Sequence, residues 1–173
     1  MSDFHDLIER EIPRLRRYAR ALTRSVDRAD DLVQETLLRA VAKAHLWQAG
    51  TDLRAWLFTI MHNQYVNMVR RAMREQATVE LEQMSSSLVA TTDPTASRQM
   101  RELERALGCL PSEQREVLLL VGLEGMSYEA AAQILSVPVG TIRSRLSRSR
   151  CALRHLMAGG DGAESPERNA LAA

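Results

Sequence analysis

The chain has 173 residues, of which 45% are hydrophobic and only 4% aromatic, and its formal net charge is +1 at pH 7. This composition excludes a wholly disordered protein, and the scarcity of alternating β-branched and aromatic residues disfavours a β-sandwich or a barrel. The length allows one ordinary domain or two small ones. We therefore expect an all-α protein whose core is built from Leu, Val, Ile, Met and Ala.

The expected location is the cytoplasm. No apolar stretch approaches the roughly 20 residues that span a bilayer, and the polar N-terminus lacks the apolar core of a signal peptide. Cys109 and Cys151 lie far apart in the sequence and have no metal-ligand spacing, which indicates two reduced thiols. We expect no membrane span.

Residues 6–75 are the first expected domain, a bundle of helices. Apolar side chains recur at helical spacing through residues 12–44. A break at residues 48–52 precedes a third helix, with Thr51 or Asp52 as its N-cap. The apolar stripe of this third helix consists of Leu53, Trp56, Leu57, Ile60 and Met61.

The helical pattern fails between residues 76 and 97, which are rich in Ser and Thr and contain Asp93 and Pro94. Long loops are uncommon inside compact domains, so this segment is predicted to be a flexible linker. A second helical domain is expected at residues 98–158. Residues 159–173 are Gly-rich and acidic, which predicts a disordered tail.

The most informative segment is residues 126–146, which predict a short helix, a tight turn and a second helix. No acidic residue occurs between Ser136 and Gly160. A basic helix that crosses a shorter one is the geometry that enters the major groove of DNA.

The second helix of this segment divides into two faces when its residues are placed at about 100° intervals. Ile142, Leu146 and Leu153 fall on the apolar side. Small and basic residues fall opposite it or on its flanks, and they are the predicted contacts to guanine edges and phosphates: Thr141, Arg143, Ser144, Arg145 and Arg148. The alternative is an ordinary helix with a solvated basic face.

Nothing in the sequence indicates an enzyme, a metal site or a cofactor. The histidines His5, His45, His62 and His155 are scattered without ligand spacing, and no Gly-rich phosphate loop or nucleophile constellation is present.

Three segments resemble bacterial sigma factors of the extracytoplasmic-function (ECF) group, in the right order on both sides of the linker. They are residues 30–40, residues 54–63 with Asn67, Arg70 and Arg71, and residues 110–115 with 140–150. Residues 16–22 and 127–131 also resemble the EcfG group, the general stress response sigma factors of alphaproteobacteria. The resemblance implies sigma region 2 at residues 6–75, sigma region 4 at residues 98–158 and a role in promoter-specific transcription initiation.

The resemblance also implies functional residues in the first domain. The face that would bind a coiled coil of the polymerase β′ subunit consists of Asp30, Asp31, Gln34, Glu35 and Arg39. The group implied for the promoter minus-ten element consists of Asn63, Asn67, Arg70 and Arg71, whose amides suit base edges and whose guanidinium groups suit phosphates. Trp47 lies beside the 48–52 break and is expected to line a pocket for an unstacked base.

The implied partners are core RNA polymerase through its β′ and β subunits, promoter DNA, and an anti-sigma factor of the NepR type that a PhyR-type regulator releases. Two alternatives remain open from the sequence. A stand-alone helix-turn-helix regulator would use the same basic helix but would need dimerisation and a palindromic site. A sigma mimic that titrates an anti-sigma factor would not need the basic face.

Overall fold

The computed structural model describes residues 2–79 and 98–158, and seven α-helices lie in these two ranges, which contain no strand. The helices are α1 (Ser2–Thr23), α2 (Val26–Ala42), α3 (Leu53–Val79), α4 (Arg98–Cys109), α5 (Ser112–Leu118), α6 (Tyr128–Leu135) and α7 (Val139–Ala158). A 3₁₀ turn at Ala44–Leu46 follows α2, and a π-helical turn at Leu119–Leu123 follows α5. The all-α prediction is confirmed.

The N-terminal half, α1 to α3, is held by an apolar core around Leu15, Leu22 and Leu57, none of which is exposed. Tyr18 and Phe58 meet edge to face in this core, with ring centroids 5.0 Å apart. The Asp52 carboxylate accepts a hydrogen bond from the amide of Ala55 at 3.0 Å, so the predicted cap of the third helix is confirmed.

Helix α3 extends through Val79, beyond the predicted start of the linker at residue 76. Residues 76–79 contain Gln and Ala and no Gly or Pro, so nothing in their sequence stops a helix. The remainder of the predicted linker and the predicted tail at 159–173 lie outside the described residues.

The C-terminal half, α4 to α7, contains the predicted helix-turn-helix. Ser127 caps α6 by accepting a hydrogen bond from the amide of Ala130 at 3.1 Å. Ser136 ends α6 in the left-handed conformation, with φ of 53°. Pro138 precedes α7, and its carbonyl oxygen accepts from the amides of Thr141 and Ile142. The observed hydrogen bonds and the left-handed Ser136 confirm the predicted helix-turn-helix.

Replacing Ser127 by Ala should lower the free energy of unfolding by about 1 kcal/mol, because the first turn of α6 loses its side-chain acceptor. Chemical denaturation followed by circular dichroism measures this change. The matched control is Ser147→Ala, at an exposed position of α7 where no capping bond exists. Equal destabilisation by both substitutions would show that the cap has no special role.

The two halves pack on each other rather than standing apart. Helix α3 packs against α6, and α1 packs against the turn that follows α5. The buried apolar residues of both halves form one continuous cluster. The sequence predicts two domains but not this placement, because it contains no local signal for contacts between distant segments.

Candidate functional site

The apolar side of α7 fixes this helix against the C-terminal half. Ile142 and Leu146 are buried. The Ser149 hydroxyl group lies 2.7 Å from the carbonyl oxygen of Arg145 and 3.0 Å from that of Gln114 on α5. The opposite side of the helix is therefore held in a fixed orientation towards solvent.

That exposed side carries small and basic residues that the sequence predicts as DNA contacts. Arg143, Ser144 and Arg148 are all exposed, whereas Thr141 is partly buried at their edge. Arg148 donates to the hydroxyl oxygen of Ser144 at 3.3 Å. Ser147 is also exposed on this face, three residues after Ser144 and four after Arg143. It is not among the DNA contacts that the sequence predicts. Its helical spacing was the signal available in the sequence.

Arg145 is placed differently from the other predicted DNA contacts. Its side chain is 21% exposed, and its guanidinium group lies 2.7 Å from the carboxylate of Glu113 on α5. This ion pair braces α7 against α5. In this structure Arg145 is engaged within the protein, while Arg143 and Arg148 remain turned to solvent.

A second exposed polar face lies on α3 in the N-terminal half. Asn63, Asn67, Arg70 and Arg71 are exposed and follow each other at helical spacing, so they share one side of the helix. Arg71 donates to Glu75 at 2.7 Å, and this hydrogen bond raises the pKa of Arg71 above its ordinary value. The structure thus brings all four predicted residues together.

Trp47, the fifth residue predicted for this region, is packed against the beginning of α1. Its ring lies on that of Phe4, with centroids 5.3 Å apart, and Phe4 also contacts Trp56 at 6.3 Å. The indole nitrogen of Trp47 is buried without a hydrogen-bond partner. The aromatic contact from residue 4 could not be read from the sequence, which gives no local sign that residues 4 and 47 meet.

The third face lies on α2 and combines charge with exposed apolar surface. Asp30, Asp31, Gln34, Glu35 and Arg39 are all exposed, and Arg39 donates to Glu35 at 2.9 Å. Leu38 lies among them with 60% of its surface exposed, although the sequence stripe offered no reason to single it out. Val41 is also exposed. An exposed leucine within a charged rim is typical of a protein-binding surface.

Two buried carboxylates join the halves of the molecule. Glu124 has no exposed side-chain surface, and it accepts hydrogen bonds from Arg17 at 2.8 Å and 3.1 Å and from Arg54 at 3.0 Å. Arg54 also donates to the backbone carbonyl oxygen of Glu124. Glu116 is buried as well and lies 2.5 Å from Nδ1 of His62 on α3.

Two groups near these carboxylates, Tyr18 and Arg115, have pKa values shifted from their ordinary values. Burial, and then the proximity of Glu116, holds the pKa of Tyr18 well above its ordinary value. Arg115 donates to the carbonyl oxygens of Leu107, Gly108, Leu110 and, across the two halves, Leu22. Burial lowers the pKa of Arg115 from its ordinary value.

Within residues 2–79 and 98–158, no group of three or more His, Cys, Asp or Glu side chains is arranged to hold a metal ion. Cys109 and Cys151 are free and exposed. In the same part of the chain, no helix has the length and apolar character needed to cross a membrane. The chemistry that the described surfaces offer is recognition through charge, amides and apolar contact.

Comparison with known families covers both halves of the chain. Residues 8–62 match the family described as the Sigma2 domain of PhyR, and residues 100–153 match Sigma-70, region 4. The ECF RNA polymerase sigma factor EcfG of Rhodopseudomonas palustris (strain TIE-1) is 45% identical over 163 residues. This alignment covers 94% of this chain and 89% of the relative.

Solved structures show the same architecture. The sigma factor RpoE of Bartonella quintana, solved in complex with the anti-sigma factor NepR, superposes with a TM-score of 0.81 at 36% identity, covering 91% of this chain and 98% of that one. The PhyRSL–NepR complex of Sphingomonas sp. Fr1 has a TM-score of 0.60 at 23% identity, covering 96% and 94%. The second likeness supports the fold alone.

Proposed function

The chain belongs to the ECF RNA polymerase sigma factors, and from that premise we propose how its surfaces divide the work of promoter-specific transcription initiation. The face on α2 docks on the β′ subunit of core polymerase. The face on α3 contacts the melted minus-ten element, and the exposed side of α7 contacts the minus-thirty-five duplex. The remaining proposed polymerase contact is with the β subunit.

The observation that carries this division is that three exposed faces lie on three separate helices of one chain. A stand-alone regulator needs only the α7 face and a dimer contact, and it has no use for Leu38 within the charged face of α2. A mimic that never touches DNA has no use for the exposed Arg143 and Arg148. A sigma factor uses both the α2 face that contains Leu38 and the exposed arginines of α7.

The domain limits follow from the same assignment. We propose sigma region 2 at residues 6–75, with α3 continuing through Val79 into the proposed linker at 76–97, sigma region 4 at residues 98–158 and a tail at 159–173. The protein acts in the cytoplasm, where polymerase and promoters are, and it contributes specificity rather than enzymatic chemistry.

Control by an anti-sigma factor is part of the proposal. The Bartonella relative that superposes over most of this chain was solved with NepR bound. A small NepR-type protein is therefore the proposed inhibitor here, and general stress response genes are the proposed targets, in line with the similarity to EcfG.

The near-zero net charge suggests that free protein binds DNA weakly and that polymerase supplies much of the affinity. Fluorescence anisotropy with a labelled promoter duplex tests this, with and without core polymerase. We expect promoter-specific binding only when core polymerase is present. Strong, sequence-specific binding of a dimer in the absence of polymerase would favour the stand-alone regulator instead.

A further inference from the structure

Besides the His62–Glu116 pair, the bond from Arg115 to Leu22 and the shared apolar cluster, the two halves meet at one buried carboxylate, Glu124. The guanidinium groups of Arg17 on α1 and Arg54 on α3 approach Glu124 from the N-terminal half, and together they occupy both of its carboxylate oxygens. We call these three residues the Glu124 clasp. Charge-assisted hydrogen bonds of this kind are among the stronger polar contacts in proteins.

The packing that accompanies the clasp keeps the DNA-contacting helices close together. Helix α6 packs against both α3 and α7. Packed helices have axes about 8–10 Å apart, so α3 and α7 lie within about 20 Å of each other. The minus-ten and minus-thirty-five elements are centred about 25 base pairs apart, which is about 85 Å at 3.4 Å per base pair. This arrangement cannot occupy both elements at once.

We propose that Arg17 and Arg54 form a carboxylate-binding site on the N-terminal half, and that Glu124 of the same chain fills it to hold the free protein in a closed, promoter-incompetent state. The functional part of this inference rests on the proposed sigma activity. Promoter use then requires that the clasp be broken and the halves separate.

The physical character of the clasp suits a switch better than a permanent joint. A buried carboxylate is costly unless its partners remain in place, so the closed state tolerates little partial loosening. When the halves part, water solvates Glu124, Arg17 and Arg54, and this compensates much of the lost interaction. Residues 80–97, at about 3.3 Å per residue in an extended chain, are long enough to let the halves move several tens of ångströms apart.

The closed state should also reduce the apparent affinity for core polymerase, because only the open fraction of molecules is competent to bind productively. Weakening the clasp should therefore tighten polymerase binding. A purely structural role for Arg17 would not produce this gain of function.

Pulsed electron–electron double resonance between one spin label on each half measures the distance between the two halves directly. In a Cys109→Ser background, Cys151 carries one label and Lys43→Cys carries the other, and both positions are exposed. The test variant is Arg17→Ala, chosen because the Arg17 side chain is 53% exposed and its loss should not prevent folding. The matched control is Arg16→Ala, at an exposed position next to it.

We expect wild type and Arg16→Ala to give a short, narrow distance distribution, and Arg17→Ala to add a population at long distances. Arg17→Glu should shift the distribution further, because a second carboxylate would then lie beside the buried Glu124. Binding to core polymerase should tighten by about threefold to tenfold in Arg17→Ala.

Unchanged distances in both Arg17 variants would contradict the proposal that the Glu124 clasp holds the two halves together. Separation without tighter polymerase binding, where wild type does bind polymerase, would overturn its regulatory role. If wild type and all variants fail to bind polymerase while the distances shift as expected, the clasp stands and the proposed sigma function fails.

Discussion

Replacing Leu38 by Asp should abolish assembly with core RNA polymerase while leaving the fold intact. Leu38 is 60% exposed in the middle of the α2 face and makes no contribution to the buried core. An exposed leucine surrounded by Asp31, Gln34 and Glu35 is the apolar centre that a polar rim would seal in a complex. A carboxylate there would be buried unpaired, which should weaken binding by about 100-fold or more.

The matched control is Val26→Asp, which makes the same kind of change at another exposed apolar position of α2. Val26 lies at the first residue of the helix, away from the α2 face, where an acid is compatible with the helix dipole. Biolayer interferometry with immobilised core polymerase gives both affinities, and circular dichroism verifies that both variants fold. If the two substitutions weaken binding equally, the α2 face is not the docking surface.

The second large effect is expected on α7. The double variant Arg143→Ala and Arg148→Ala should lose transcription from promoters that depend on the minus-thirty-five element, and it should still bind core polymerase. Each arginine that contacts a base edge or phosphate contributes about 1–3 kcal/mol, so two together should reduce promoter affinity by about 100-fold or more. Anisotropy of holoenzyme on labelled promoter DNA measures this loss.

Arg145→Ala is the informative comparison for this experiment. Because Arg145 is paired with Glu113, its removal should cost less promoter affinity than removal of Arg148. Glu113→Ala should have a similar small effect if Arg145 acts by bracing α7. A loss in Arg145→Ala as large as that in Arg148→Ala would show that Arg145 leaves Glu113 and contacts DNA directly.

The sequence was sufficient for most of the local architecture. Periodicity placed the helices, and local capping rules narrowed the N-cap of α3 to Thr51 or Asp52 and placed the turn before α7 at Pro138. The division of α7 into a buried and an exposed side also followed from spacing, including the exposure of Arg143, Ser144 and Arg148. These features depend on neighbours within a few residues, which the sequence displays directly.

Contacts between distant segments were not predictable in this way. Glu124 and Glu116 look like ordinary surface acids in the sequence, yet both are buried against partners from the other half. Arg17 and Glu124 are separated by 107 positions, and no periodic signal joins them. The same limit applies to Phe4 on Trp47 and to the pairing of Arg145 with Glu113. The roles of individual site residues also remain predictions.

Run-off transcription tests the central claim most directly. Purified core polymerase is combined with this protein and sheared genomic DNA of the source organism, and transcripts are compared with those made by core polymerase alone. The account predicts defined transcripts that appear only when the protein is added, whose upstream sequences share a minus-ten and a minus-thirty-five element. An absence of such transcripts, with the protein binding DNA on its own, would contradict it.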